Sequence, residues 1–280
     1  MTLTFGERLE RVFAGLGRLC VGIDPHPWLL AEWGLPDSAA GTREFGLRVL
    51  DAVEGNAGIV KPQVAFFERF GSVGYAALEE ILASARQRGI LVIADGKRGD
   101  LGTSVEAYGQ AWLTPGSPLE ADALTVSAYQ GVGSLAAPSA LAEQTGKGLF
   151  VLAATSNPEG SALQQARMPS GTTVARTILD EVNTWNGTHS ATGLGSIGVV
   201  IGATLNLADF DLEVSPTPVP PVLAPGFGHQ GASVPAMRSI YGALSSGVIV
   251  SESRSVLGAG PEGIRNAVST RAENVRQASA

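Results

Sequence analysis

Ile90-Leu91-Val92-Ile93-Ala94-Asp95-Gly96-Lys97-Arg98-Gly99-Asp100 is an apolar run that ends abruptly in two carboxylates and two cations. Five apolar residues with β-branched members predict a buried strand. Parallel sheets and barrels place their reactive groups at the carboxyl ends of such strands, so charges crowded here suggest chemistry. While the chain stays extended, Asp95 and Lys97 project to the same side.

The same kind of short apolar run recurs at Leu19–Ile23, Gly58–Lys61, Ala123–Val126, Leu149–Ala153, Ile197–Ile201, Val222–Ala224 and Val248–Val250, making eight candidate strands in all. Helical spacing occupies the intervals Thr42–Val53, Gly74–Arg88, Ser104–Trp112, Gly133–Glu143, Gly171–Thr184 and Ser233–Leu244. Repeated strand-helix order predicts the α/β class and, within it, a closed (β/α)8 TIM barrel. A doubly wound open sheet is the competing architecture, weakened by the lack of a leading glycine-rich dinucleotide turn. The Pro-rich stretch Ser215–Pro225 reads as a surface loop feeding the seventh strand, because too little chain follows it to form an independent domain. The expectation is a single barrel domain over residues 1–280 with an N-terminal helix.

Composition narrows the function. Apolar residues make up 44% of the 280 and charged residues 16%, which excludes a disordered chain. A net charge of −7 argues against nucleic-acid binding, although local cations can still hold a phosphate-bearing small molecule. The one cysteine, Cys20, sits in an apolar run, so a buried thiol in a reducing, cytoplasmic setting is expected. Residues Met1 to Ala14 read as an amphipathic helix, not a signal peptide, and no apolar run reaches the length of a membrane span.

A barrel would gather the residues that follow each strand at one mouth. These are Asp24, Lys61, then Asp95, Lys97 and Asp100, then Ser127, Ser156 with Asn157, the run Pro225-Gly226-Phe227-Gly228-His229-Gln230-Gly231, and finally Ser253 with Arg254. Each has a plainer reading. Asp24 precedes Pro25 and could start a turn. Lys61 lies between apolar Ile59-Val60 and Pro62, where a solvated lysine is less expected. Thr103 with Glu106 fits a helix capping box, and Arg98 is expected only to solvate a loop. His26, His189 and His229 match no metal-ligand spacing, so structural or surface roles and no metal are expected. The glycine-rich run, together with Arg254 after the eighth strand, suggests a phosphate site, since barrels commonly hold phosphate on the loops after strands seven and eight.

With Lys61, Asp95, Lys97 and Asp100 considered together, the chain resembles the orotidine 5′-monophosphate decarboxylase family, and most of all its longer bacterial subgroup. Further segments carry the likeness in the family's order: Lys61-Pro62-Gln63, Phe66-Phe67-Glu68-Arg69-Phe70-Gly71, Thr155-Ser156-Asn157-Pro158, the run from Pro225 to Gly231, and Ser253-Arg254. The resemblance implies a cofactor-free decarboxylation of orotidine 5′-monophosphate that completes uridylate synthesis, carried out by a homodimer. It implies that Lys61, Asp95 and Lys97 act in one chain and Asp100 in the neighbouring site. Asp24 would hold ribose hydroxyls, Ser156 the pyrimidine amide edge, and Gln230, Gly231 and Arg254 the phosphate. Ser104 falls where the family usually has a threonine near the ribose and the interface. Leu101 replaces the usual isoleucine, and Ala232 follows where a further glycine is common. Two other readings remain open: an aldolase with Lys61 or Lys97 forming a Schiff base, and a non-catalytic nucleotide-binding barrel.

Overall fold

The computed structural model describes residues 3–189 and 193–279. Eight strands close into a barrel in chain order, every neighbouring pair parallel: β1 (Leu19–Ile23), β2 (Ile59–Pro62), β3 (Leu91–Arg98), β4 (Ala123–Val126), β5 (Gly148–Ala154), β6 (Ile197–Ile201), β7 (Val222–Pro225) and β8 (Val248–Glu252). The expected (β/α)8 barrel is therefore the observed one, and the open sheet is excluded by the pairing of β1 with β8.

Outside the strands lie α1 (Phe5–Gly15), α2 (Pro27–Glu32), α3 (Ala39–Val53), α4 (Ala65–Glu68), α5 (Gly71–Gln87), α6 (Gly102–Leu113), α7 (Ala136–Thr145), α8 (Pro158–Gln164), α9 (Val174–His189), α10 (Met237–Tyr241), α11 (Arg254–Leu257) and α12 (Gly260–Ser279). The helix expected over Ser233–Leu244 is instead two 3-10 turns flanking α10, because Pro235 and Gly242 interrupt it. α12 was not among the expected segments, yet it buries Ile264, Val268, Ala272 and Val275, one stripe at helical spacing. Thr103 does not cap α6. That helix starts at Gly102 behind Leu101, so Thr103 already lies in its first turn.

The amino-terminal helix was expected over 1–14; Met1 and Thr2 lie outside the described residues. Its start is set by a capping box, with Thr4 Oγ1 accepting from Glu7 N at 3.2 Å and Glu7 Oε2 accepting from Thr4 N at 2.8 Å. α1 then closes the amino-terminal end of the barrel. Phe5 and Leu9 join the interior cluster of Cys20, Ile59, Leu91, Ile93, Ala123, Phe150, Leu223 and Ile249, with the Phe5 ring edge-on to Phe150 at 5.9 Å. Beside it, buried Asp122 accepts from Val92 N at 2.8 Å and pairs with Arg8 of α1 and with Lys147.

The interior alternates because strand side chains repeat every second residue. Two residues beyond the apolar members Ile59, Ile93, Ala123 and Ile249 come Lys61, Asp95, Thr125 and Ser251, all buried. An apolar floor thus carries a polar layer just below the carboxyl mouth. Truncating the plug tests the floor: Phe5→Ala should lower the unfolding free energy by about 3–5 kcal/mol in urea titration. A loss under about 1 kcal/mol would show that α1 is not part of the core.

Candidate active site

β3 does not pair uniformly with β4. Ala94 sits opposite Leu124 but Arg98 opposite Val126, so Asp95, Gly96 and Lys97 bulge out of register. Bulges re-aim side chains, and here the backbone of Lys97 takes φ 46°, a left-handed conformation that costs a non-glycine residue about 1–2 kcal/mol. The consequence is that Asp95 and Lys97 both reach the mouth while Arg98 faces away from it.

Asp95 is the centre of what assembles there. Its Oδ2 accepts from Lys61 Nζ at 2.9 Å; its Oδ1 accepts from Lys97 Nζ at 2.6 Å and from Thr125 Oγ1 at 2.8 Å. Thr125 Oγ1 in turn accepts from the backbone N–H of Lys97 at 2.9 Å. Gln63 completes the cluster, with Nε2 donating to Asp95 O at 3.4 Å and Oε1 accepting from Lys97 Nζ at 3.5 Å. Lys61 and Asp95 have nearly buried side chains, whereas that of Lys97 is 47% exposed and opens onto the mouth.

Burial alone would raise the Asp95 carboxyl, but the ammonium groups of Lys61 and Lys97 outweigh it and hold Asp95 well below the usual carboxylate range. For Lys61 burial opposes the charge, yet Asp95 and then Asp24 drive its ammonium above the usual lysine range. Under Lys61, burial pushes the Cys20 thiol up to about 12, so it is a core group of the floor.

Across the mouth lies a cavity of about 150 Å³ lined by Asp24, His26, Lys61, Phe227, His229, Gln230, Ser253 and Arg254. Buried Asp24 Oδ1 and Ser253 Oγ, which line it, have no hydrogen-bond partner among the described residues. Gln230 is exposed in the turn Gly228–Gln230, and the N–H of Gly231 closes that turn on Gly228 O at 3.0 Å. The turn rests on buried Glu252, which Arg271 of α12 holds through Nε at 2.9 and 3.1 Å. A Cβ on Gly228, at φ 68°, would come within 2.9 Å of Glu252 Oε2, so a side chain there would crowd that carboxylate as well as strain the backbone.

The remaining expected residues lie around this rim. Ser156 is exposed beyond β5, packed beside Gly202, and Ser104 is exposed on the first turn of α6. Asp100 stands apart: its Oδ1 accepts from Leu101 N at 2.8 Å, and among the described residues it makes no hydrogen bond or ion pair with Lys61, Asp95 or Lys97. Arg98 does more than solvate a loop. It pairs with Glu68, approaches Tyr75 Oη at 3.3 Å and lies 5.7 Å over the Tyr108 ring. His26, expected to be structural or on the surface, lines the cavity as does His229; burial, with Arg254 nearby, pushes the His26 imidazole below its usual value against the pull of Asp24. His189 lies away from the site, stacked on Trp185. Thr125 and Gln63 were not assigned roles from the sequence. For Thr125 the signal was present: a polar residue inside an apolar strand, two positions beyond inward-facing Ala123.

The molecule is a (β/α)8-barrel enzyme with charged side chains gathered at the carboxyl mouth of its strands. A sequence profile for the orotidine 5′-phosphate decarboxylase / HUMPS family matches residues 17–263, and the chain belongs to that family. It is 49% identical to the orotidine 5′-phosphate decarboxylase of Salinispora arenicola, over 92% of this chain and 91% of that protein. To the enzyme of the same name from Corynebacterium efficiens it is 46% identical, over 97% of each chain. A Streptomyces avermitilis crystal structure whose description assigns it the same activity superposes with a TM-score of 0.93 at 46% identity, over 99% of this chain and 96% of that one.

The linked ionisation sets a stability prediction. Asp95, held below its unfolded value, stabilises the fold above about pH 4, and this is lost as pH falls through the depressed native value. Lys61, held above its unfolded value, contributes fully below about pH 10.4 and loses this as pH rises through the elevated native value. The pair is therefore intact across the neutral range. Asp95→Asn should cost about 3–5 kcal/mol at pH 7 because Lys61 is left buried without its main partner. Urea titrations should show the gap from wild type closing as the pH drops toward the acid limb; an equal gap at every pH would contradict the pairing.

Proposed function

We propose that this site decarboxylates orotidine 5′-monophosphate to uridine 5′-monophosphate and CO2, the last step of de novo pyrimidine nucleotide synthesis, with Lys97 donating the proton to C6 and no cofactor. The observation that carries this reading is one carboxylate, Asp95, holding two ammonium groups at the mouth of a chain 49% identical to a named orotidine 5′-phosphate decarboxylase. The bond from C6 to the carboxylate breaks, its electron pair stays on C6, and a proton passes from Lys97 Nζ to that carbon; solvent reprotonates the amine. Charge developing at C6 has no adjacent carbonyl to absorb it, so a fixed cation is the stabiliser the chemistry needs. An ammonium about 4 Å away supplies roughly 4 kcal/mol at an effective dielectric near 20. Since a demanding reaction calls for roughly 20 kcal/mol, binding remote from C6 must contribute the rest.

The second half of the mouth fits that task. Arg254 and Gln230 would grip the phosphate, Gly231 would let the loop approach it, Asp24 would take the ribose hydroxyls, and Ser156 the pyrimidine edge, with Ser104 near the ribose. Unpartnered Asp24 Oδ1 and Ser253 Oγ support a polar occupant. A Schiff-base aldolase needs a neutral amine, and the Lys61 ammonium is stabilised by Asp95 and Asp24. Loss of the phosphate grip in Arg254→Ala should reduce kcat/KM about 10- to 100-fold, mainly through KM, the range of one charge-assisted contact. An unchanged KM would remove Arg254 from the phosphate site.

The working form in this reading is a homodimer in which Asp100 enters the neighbouring site. Among the described residues Asp100 is not bonded to its own chain's lysines, and two large apolar side chains are exposed just beyond it, Leu101 and, two helical turns later on α6, Tyr108. Residues 1–280 are read as one barrel domain, supported by the packing of α1 into the barrel floor, and a reducing cytoplasmic setting suits the buried free thiol. The direct test is loss of orotidine 5′-monophosphate absorbance with purified protein treated with chelator. Lys97→Ala and Asp100→Ala should each be inactive, and mixing them should restore roughly a quarter of the wild-type rate, since random exchange leaves one intact site in half of the dimers. No recovery after confirmed subunit exchange would return Asp100 to its own chain's site.

A further inference from the structure

We infer that Thr125 is a positioning residue whose hydroxyl takes the place of the strand-pairing partner that β3 loses at its bulge, fixing Lys97 in its left-handed backbone and Asp95 in its bridging rotamer. The inference rests on the decarboxylase reading for its catalytic consequence, but its structural part stands apart from it.

Between the pairs Ala94–Leu124 and Arg98–Val126, β3 carries three residues and β4 only Thr125. A regular ladder offers the Lys97 N–H no acceptor at such a mismatch, and a backbone donor left without one is costly. The Thr125 hydroxyl is that acceptor at 2.9 Å, and its own proton goes to Asp95 Oδ1 at 2.8 Å. Both bonds are made by one oxygen of a residue that is 1% exposed, so water does not compete for either. The Asp95 oxygen so engaged is the one that Lys97 Nζ meets at 2.6 Å. Backbone N–H, hydroxyl, carboxylate and ammonium therefore form a closed ring that starts and ends on Lys97. A β-branched residue on a buried strand is ordinary; what valine would lack here is this ring. The ammonium of Lys97 is half exposed on a flexible stem, and its only other contact among the described residues is the long one to Gln63 Oε1 at 3.5 Å, so the ring is the main source of its direction.

Thr125→Val keeps shape and removes the hydroxyl, while Thr125→Ser keeps the hydroxyl. In Thr125→Val, kcat for orotidine 5′-monophosphate should fall about 100-fold, the scale of a misplaced reacting group, with the affinity for uridine 5′-monophosphate within about 3-fold of wild type. Thr125→Ser should keep kcat within about 5-fold. Independently of turnover, amide hydrogen exchange at Lys97 should be slow in wild type and Thr125→Ser and fast in Thr125→Val. The proposal is overturned by a kcat for Thr125→Val within about 3-fold of wild type, by equal losses in the valine and serine variants, or by unchanged exchange at Lys97. Should Thr125→Val not fold, the exchange and kcat comparison of wild type, Thr125→Ser and Thr125→Ala decides in the same way. If wild type fails to consume orotidine 5′-monophosphate, the functional reading falls, and the exchange rates alone decide the structural role.

Discussion

The shared carboxylate of Asp95 is the constraint around which the mouth is organised. Alone among the described residues it binds two lysine ammonium groups and a buried hydroxyl, and it does so from a strand whose register has been broken to deliver it. Burial alone would push the Asp95 carboxyl up and the Lys61 ammonium down, and each group offsets that for the other. Each group keeps the other charged. The net gain in stability from such a pair is small, because desolvation consumes most of the attraction. Its value lies in holding fixed charge at a place where charge can develop.

The rest of the barrel makes that arrangement affordable. The apolar floor below the polar layer is covered on the amino-terminal side by α1, with Phe5 against Phe150. Low local dielectric strengthens every interaction in the layer above. At the opposite end buried Asp122 ties Val92 N, Arg8 and Lys147 together, clamping β3 and β4 at their starts while the bulge loosens them at their ends. A strand pair fixed at one end and irregular at the other can accommodate strain locally.

What the sequence made legible follows from what repeats. Eight apolar runs in βα order recovered all eight strands, and strand-end polarity located Lys61, Asp95, Lys97 and the loop from Pro225 to Gly231. What it hid depends on departures from regularity. The bulge at Asp95–Lys97 has no signature beyond Gly96, so the sequence showed Thr125 as an inward polar residue but not which groups it meets. α12 escaped because its outward face is strongly polar, although its four buried residues are correctly spaced. Arg98 looked like a loop cation because its partners Glu68 and Tyr75 come from helices some 20–30 residues earlier in the chain.

That anchor explains how six consecutive residues serve two directions. Lys97 points into the mouth; Arg98, next to it, is drawn outward by Glu68 and covered by Tyr108. Gly99 then passes so close to β4 that a Cβ would meet Ser127 O at 2.6 Å, which keeps the chain pressed against the barrel wall before it leaves. By Asp100 the backbone has turned toward the surface, where the carboxylate accepts from Leu101 N just ahead of α6. Among the described residues Asp100 makes no bond to its own chain's Lys61–Asp95–Lys97 bridge and presents a carboxylate beside exposed Leu101. One outward arginine thus separates the two halves of the motif: Lys97 faces its own mouth, and Asp100 does not.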